Sequence, residues 1–291
     1  MRIGFIGLGN IGGPAALHLV EAGRQVTVHD LARQAAAAHI EKGARWADSP
    51  AEAARGCEAV FTSLPFPEDV ESVVLGPNGI VESIPSGAVY GDLTTNRVSL
   101  TRKLYTTLKE RGVDMLDMPI TGGHAGSMSA TMVIFVGGDE PVYRRLKPVI
   151  ELMGRPVYCG PNGSGNVCKL VNNLAGHGFE AVIHEAFTIG VKAGVPVKTL
   201  IEALSLGGHG KPYVPGLKFT GDYGGGSRLD LAAASVHLAC ELGRELRVPA
   251  EVSAVIEQRY MEALAKGLDN MGPGAVQMVY ESRSGVELRG P

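Results

Sequence analysis

Gly7, Gly9 and Gly12 fall in the spacing G-x-G-x-x-G, directly after an apolar run at residues 3–6 and ahead of a helical pattern. The first glycine permits a tight turn, the second lets backbone approach a pyrophosphate, and the third lets helix pack on strand. Phosphates bound there, around Leu8, Asn10 and Ile11, meet the N–H groups and positive dipole end of the helix. A second apolar run ends at Asp30, about 20 residues on, where a carboxylate reaches the ribose hydroxyls of a dinucleotide. Such a carboxylate hydrogen-bonds a 2′-hydroxyl and repels a 2′-phosphate, so NAD is the expected cofactor. Arg33 is the residue that could instead accept the phosphate of NADP. The competing reading, a glycine-rich turn that binds nothing, leaves the coincidence of strand, glycines, helix and acid unexplained.

Farther along, Lys169, Asn172 and Asn173 stand at i, i+3 and i+4 and so project from one side of a helix. An ammonium beside a carboxamide suits an alcohol or carbonyl substrate, because lysine can protonate an oxygen that becomes a hydroxyl. By residue type alone, the same three residues also describe a solvated helix face. Thr121, Gly122 and Gly123 put a hydroxyl before two glycines, a sequence that can form a nest of N–H groups for a substrate carboxylate, or an ordinary turn. His177 and His184 continue the stripe of Lys169 and Asn173 and read as solvent-facing or interface histidines, with a substrate role for His177 as the alternative. Cys57, Cys159, Cys168 and Cys240 show no CxxC and no ligand spacing, so no metal is expected.

These residues need elements to hold them. Residues 3–6, 26–29, 59–64, 88–92, 113–117 and 132–136 read as strands, and 11–22, 34–42, 68–75 and 99–111 as helices. Strands alternating with helices imply βαβ units in a mostly parallel, doubly wound sheet. After Gly160-Pro161-Asn162-Gly163 only helical signals remain, at 164–193, 197–206, 231–246 and 250–266, with glycine-rich loops near 207–210 and 224–226. The expected organisation is an α/β Rossmann-type domain over residues 1–162, then a smaller all-α domain over 163–291.

Twenty-seven basic against 30 acidic residues leave a formal charge of −3, which lacks the basic stripe that nucleic acid requires. No apolar run approaches a membrane span. A cytoplasmic protein with reduced thiols is expected.

Three segments carry a resemblance to the short β-hydroxyacid dehydrogenases, the group of 3-hydroxyisobutyrate dehydrogenase and tartronate semialdehyde reductase. Residues 4–14 resemble the family's G-F-I-G-L-G-x-M-G-x-P, residues 117–126 its D-A-P-V-S-G-G-x-x-G loop, and residues 163–173 its G-x-G-x-x-x-K-x-x-N-N segment. The resemblance implies an NAD-dependent oxidoreductase acting on a small 3-hydroxy acid or its semialdehyde. Lys169 would be the catalytic acid/base, with Thr121, Gly122, Gly123 and Asn173 as substrate contacts. It implies cofactor contacts from Leu64, Pro65 and Thr95, a weaker one from Asp69, which reads equally as an exposed helix-start charge, and a homodimer or homotetramer built through the helical domains. Rival readings are an imine reductase-like NADP enzyme of the same fold, which usually lacks the lysine, and a non-catalytic dinucleotide-binding module. Two departures stand out. Thr121 replaces the family's serine, and the K-D pair of its second domain falls on Ala234-Ser235, implying a wider cleft or a substitute cation among Lys211, Lys218 and Arg228.

Overall fold

The computed structural model describes residues 1–207, 219–223 and 228–290. Chain contacts divide it into two compact units, Met1–Leu170 and Val171–Pro291. In the first, strands and helices alternate as β1 (Arg2–Ile6), α1 (Gly12–Glu21), β2 (Gln25–His29), α2 (Ala37–Glu41), β3 (Arg45–Trp46), α3 (Pro50–Ala54), β4 (Ala59–Thr62), α4 (Pro67–Leu75), β5 (Val89–Asp92), α5 (Val98–Lys109) and β6 (Asp114–Asp117). They continue through β7 (Ile120–Thr121), α6 (Gly123–Met128), β8 (Val133–Gly138), α7 (Glu140–Ile150) and β9 (Arg155–Gly160).

The sheet runs β3-β2-β1-β4-β5-β6-β8-β7, with β9 paired to β8. Its first six strands are parallel in Rossmann order, and the chain winds outward in opposite directions from the neighbours β1 and β4. β8 breaks the pattern by pairing antiparallel with β6 and β7, then parallel with β9.

Period-two alternation sorts the strand residues onto two faces. Phe5, Val28, Phe61 and Leu116 pack with α1 and α7 in one core, whereas Val60, Tyr90 and Met115 pack with α3, α4 and α5 in the other. Helices therefore cover both faces, as the doubly wound reading requires.

Three local differences from the sequence reading have physical causes. The pattern at 34–42 becomes a 3-10 turn at Arg33–Ala36 followed by the single turn of α2, because its alanines bury too little to hold one long helix. α7 was not expected: Pro148 lies inside it, yet Val142, Leu146, Val149 and Ile150 keep helical spacing and are buried. β9 was also missed, since its burial alternates only between exposed and half-buried.

α8 (Ser164–Lys192) is 29 residues long, the uninterrupted helix expected from its lack of proline, and the division between the units falls within it. The second unit continues with α9 (Val197–Leu206), α10 (Leu229–Glu245), α11 (Glu251–Ala265) and α12 (Gln277–Ser284), all helical. Its main core joins Leu229, Val236, Ile256, Tyr260, Val276 and Val279. No described helix is long and apolar enough to cross a membrane.

Candidate active site

Every turn singled out in the sheet unit lies at the C-terminal end of a strand, the edge where open α/β sheets bind ligands. Gly7, at φ +91°, turns the chain out of β1, and a Cβ there would lie 2.3 Å from the Ser63 carbonyl oxygen. A Cβ on Gly12 would lie 2.0 Å from the Gly7 oxygen, so helix α1 is pressed onto the turn. Gly9 differs: nothing lies within 4 Å of where its Cβ would be, and Gly9 and Asn10 are exposed. Two glycines are thus explained by packing, and the third leaves an open approach to backbone. That division of roles fits a pyrophosphate over the turn.

Asp30 follows β2. Its Oδ2 accepts from the Leu8 N–H at 2.7 Å and its Oδ1 from the Ala32 N–H at 2.8 Å. The carboxylate therefore ties the glycine turn to the end of β2, and each oxygen has a further lone pair for a ribose hydroxyl. Arg33 is exposed; its guanidinium lies over the Trp46 ring at 5.4 Å and 3.9 Å from Asp48. Leu64 is half-buried just past β4, and its N–H donates to the Thr94 hydroxyl at 3.0 Å. Pro65 beside it is exposed, and Thr95 is half-buried after β5. Asp69 lies in the first turn of α4, where its carboxylate accepts from the Phe66 N–H at 3.2 Å and caps its own helix.

Thr121 ends β7, and Gly122 and Gly123, at φ +113° and +60°, lead into α6. α6 is attached to the glycine turn of β1: His124 Nδ1–H donates to the Asn10 carbonyl at 2.7 Å and Ser127 Oγ–H to the Ile11 carbonyl at 2.7 Å. His18 closes the arrangement through an Nε2–H bond to the Ser127 carbonyl at 2.9 Å. The structure thus brings 121–123 to the turn at 7–12, through His124, passed over inside the segment at 117–126, and Ser127, one residue beyond it.

Lys169 is buried, 9% exposed, and burial pushes its ammonium down to about 8. An amine with that pKa holds a sizeable neutral fraction near neutral pH, whereas an ordinary exposed lysine is almost wholly protonated there. Asn173 stands one turn farther along α8 and is half-buried, while Asn172 is exposed.

Of the histidines on α8, His177 Nδ1 is 2.7 Å from the Tyr260 hydroxyl and 3.4 Å from Glu180, and His184 is buried against Phe219 and Tyr280. Neither faces solvent freely, so the expectation of solvent-facing residues is corrected: both lie against aromatic rings of the helical unit. Ala234 and Ser235 lie on α10, where Ser235 is buried and its hydroxyl returns to the Ala232 carbonyl. Arg228 is paired with Asp230, while Lys211 and Lys218, like loop residues 208–210 and 224–226, lie outside the described residues. Among the described residues no group of three or more His, Cys, Asp or Glu could hold a metal.

Sequence reasoning also missed the buried polar residues behind these turns: Thr62, Asp92, Asn96, Thr101, Asp117 and Asn166, all fully buried. For Thr62, Asp92, Asn96 and Asp117 the available signal was a polar residue at or just after the end of a buried strand; Thr101 and Asn166, inside α5 and α8, carried no such signal.

Residues 2–160 match the family model described as the NAD binding domain of 6-phosphogluconate dehydrogenase. Residues 163–279 match that of the NAD-binding segment of NADP-dependent 3-hydroxyisobutyrate dehydrogenase. Among curated relatives, 2-(hydroxymethyl)glutarate dehydrogenase of Eubacterium barkeri is 34% identical, covering 100% of this chain and 98% of its own. An NAD-dependent L-serine dehydrogenase of Pseudomonas aeruginosa is 31% identical over 98% of this chain and 99% of its own. A solved 3-hydroxyisobutyrate dehydrogenase of Mycobacterium tuberculosis, with L-serine, superposes with a TM-score of 0.83 at 26% identity, covering 96% of this chain and 98% of that one.

Proposed function

Because this chain belongs to the β-hydroxyacid (3-hydroxyisobutyrate) dehydrogenase family, we propose that it uses NAD to oxidise a small 3-hydroxy acid, with Lys169 as general acid/base. The chain is an NAD(P)-dependent oxidoreductase of small hydroxy acids. Its named relatives favour neither an imine reductase nor a non-catalytic module. The observation that carries the finer reading is a buried lysine whose pKa of about 8 suits proton exchange with an alcohol oxygen.

In this reading the turn at Gly7, Leu8, Gly9, Asn10, Ile11 and Gly12 holds the pyrophosphate, Asp30 the ribose, and Leu64, Pro65 and Thr95 the nicotinamide side. The bound nucleotide supplies the hydride acceptor. Neutral Lys169 takes the hydroxyl proton during oxidation, and protonated Lys169 returns it during reduction. The N–H groups of Thr121, Gly122 and Gly123 take the substrate carboxylate, and Asn173 orients the alcohol. Asp69 is a weaker candidate contact because its carboxylate already caps α4.

NAD is preferred over NADP on two grounds. Asp30 would face a 2′-phosphate, and Arg33 already has an aromatic face and a carboxylate beside it. Placement in the cytoplasm fits four unpaired cysteines.

Self-association is supported by α8, where Val171, Ala175, Val182, Ala186 and Ile189 form an exposed apolar stripe at helical spacing. We propose a homodimer or homotetramer formed through it. Val182→Glu is expected to lower the mass measured by light scattering; an unchanged mass would refute the interface.

Absorbance at the NADH wavelength, with NAD or NADP and a panel of 2-(hydroxymethyl)glutarate, L-serine, 3-hydroxyisobutyrate and matched 2-hydroxy acids, tests the function. Turnover of 3-hydroxy acids with NAD is expected, and turnover confined to 2-hydroxy acids would overturn it.

A further inference from the structure

Lys169 lies five residues into α8, so its place depends on whatever fixes that helix's first turn. The fixing groups come from the end of β6, the turn after β5 and the first turn of α5. Asp117, closing β6, accepts from the Gly163 N–H at 2.7 Å through Oδ1 and from the Asn166 N–H at 2.8 Å through Oδ2. A carboxylate from elsewhere in the fold thereby caps the positive end of α8. The contact is close: a Cβ on Gly165 would lie 2.5 Å from the Phe135 carbonyl oxygen, 2.6 Å from the Asp117 carbonyl oxygen and 2.9 Å from Asp117 Oδ2.

Asn166, in the same turn, uses both ends of its amide. Its Oδ1 accepts from the Asn96 backbone N–H at 2.7 Å, and its Nδ2 donates to the Thr101 hydroxyl at 3.2 Å. Asn96 in turn donates through Nδ2 to Asp92 Oδ2 at 3.2 Å. Asp92 Oδ1 accepts from the Thr94 N–H at 3.0 Å and the Thr62 hydroxyl at 2.9 Å. Thr94 accepts from the Leu64 N–H at 3.0 Å. A hydrogen-bonded chain thus runs from the turn after β4, through the end of β5, to the residue three before Lys169. Apart from Leu64, its members are 3% exposed or less.

We infer that Asn166 is a positioning residue for Lys169, joining the helix that bears the lysine to the strand-end turns at Leu64 and Thr94. The inference rests on the role given to Lys169 above. A buried amide that is donor and acceptor at once fixes one orientation, since shifting the turn leaves an N–H or a hydroxyl unpaired in a dry interior. Removing it admits water to the first turn and displaces the lysine, and a displacement of about 1 Å can cost about a hundredfold in rate.

The test uses the whole protein and a readout independent of turnover. Reductive methylation with 13C-formaldehyde places a reporter on lysines, and the Lys169 signal, assigned by its loss in Lys169→Arg, is titrated without nucleotide. In Asn166→Ala the titration midpoint is expected to rise from about 8 towards the ordinary lysine value, because hydration restores the charged form. With L-serine and 3-hydroxyisobutyrate, kcat should fall about tenfold to a hundredfold while the nucleotide Kd stays within about twofold. Thr101→Ser, which keeps the hydroxyl, should match the parent, and Thr101→Val should shift part of the way.

An unchanged midpoint in a folded Asn166→Ala protein overturns the inference and leaves Asn166 a helix anchor only. If that variant does not fold, identical midpoints in Thr101→Val and Thr101→Ser overturn it instead. Failure of the premise is distinguishable: it shows as full turnover in Lys169→Ala, whatever the Asn166 titration does.

Discussion

The strand-end turns of the sheet unit and the outer face of α8 treat burial in opposite ways. In the sheet unit, the Asp92 and Asp117 carboxylates lie in a dry interior and accept from backbone N–H, amide and hydroxyl donors. In the helical unit, Val171, Val182 and Ile189 are left 62%, 59% and 66% exposed. Polar groups buried with partners hold a geometry, because any shift strands a donor. Apolar groups left outside hold nothing until something covers them. The first region is complete within one chain, and the second is the surface that the proposed association would cover.

The largest expected effect breaks or upholds the chemical side of that contrast. Lys169→Ala should lower kcat at least about a hundredfold while nucleotide affinity stays nearly level. The parent's pH dependence sharpens the same point. In the proposed mechanism a pKa of about 8 makes Lys169 the base above that pH and the acid below it. Hydroxy-acid oxidation, followed as kcat/KM, should therefore rise through about pH 8, and aldehyde reduction should fall through it. Flat profiles in both directions would remove Lys169 from the mechanism. The linkage to stability has a definite sign too: a lysine depressed in the folded state contributes stability at high pH that is lost as pH falls through about 8.

A smaller effect is expected at Asp30, whose carboxylate serves both turn and ribose. Asp30→Ala should weaken NAD by about 1–3 kcal/mol. NADP should change less, since lost support for the Leu8 N–H is offset by lost repulsion of its phosphate. Fluorescence titration of the two nucleotides compares them, and equal losses would mean that Asp30 only braces the turn.

The smallest effect concerns backbone shape in each unit. Ala130 and Arg247 are held at φ +52° and +56°, a left-handed region that favours glycine. Arg247 follows the end of α10, and the Val248 N–H bonds back to the Gly243 carbonyl at 2.9 Å. Arg247→Gly and Ala130→Gly should each stabilise by about 1 kcal/mol. Thermal denaturation reads this out, and a lowered Tm in either would show that side-chain contacts outweigh the strain.

Much of this protein was legible because short-range rules set it. The glycine spacing after β1, Asp30 after β2 and the alternation that sorts Val60 from Phe61 onto opposite faces follow from local sterics and periodicity. So does the length of α8, which no proline interrupts. Lys169 could be singled out by its spacing to Asn173. Its burial, and hence its pKa, could not, because desolvation depends on what the fold packs around it. Asp117 and Asn96 looked like ordinary strand-end residues until the sheet brought them 49 and 70 positions back along the chain from their partner Asn166. His124 was one variable position in a glycine-rich segment, 114 residues from the Asn10 carbonyl it meets. Sequence by itself determined the fold class and the residue types able to do the chemistry, since those follow from local patterns. Only the tertiary structure decided which polar groups are buried together, because a hydrogen bond between distant positions leaves no periodic trace along the chain.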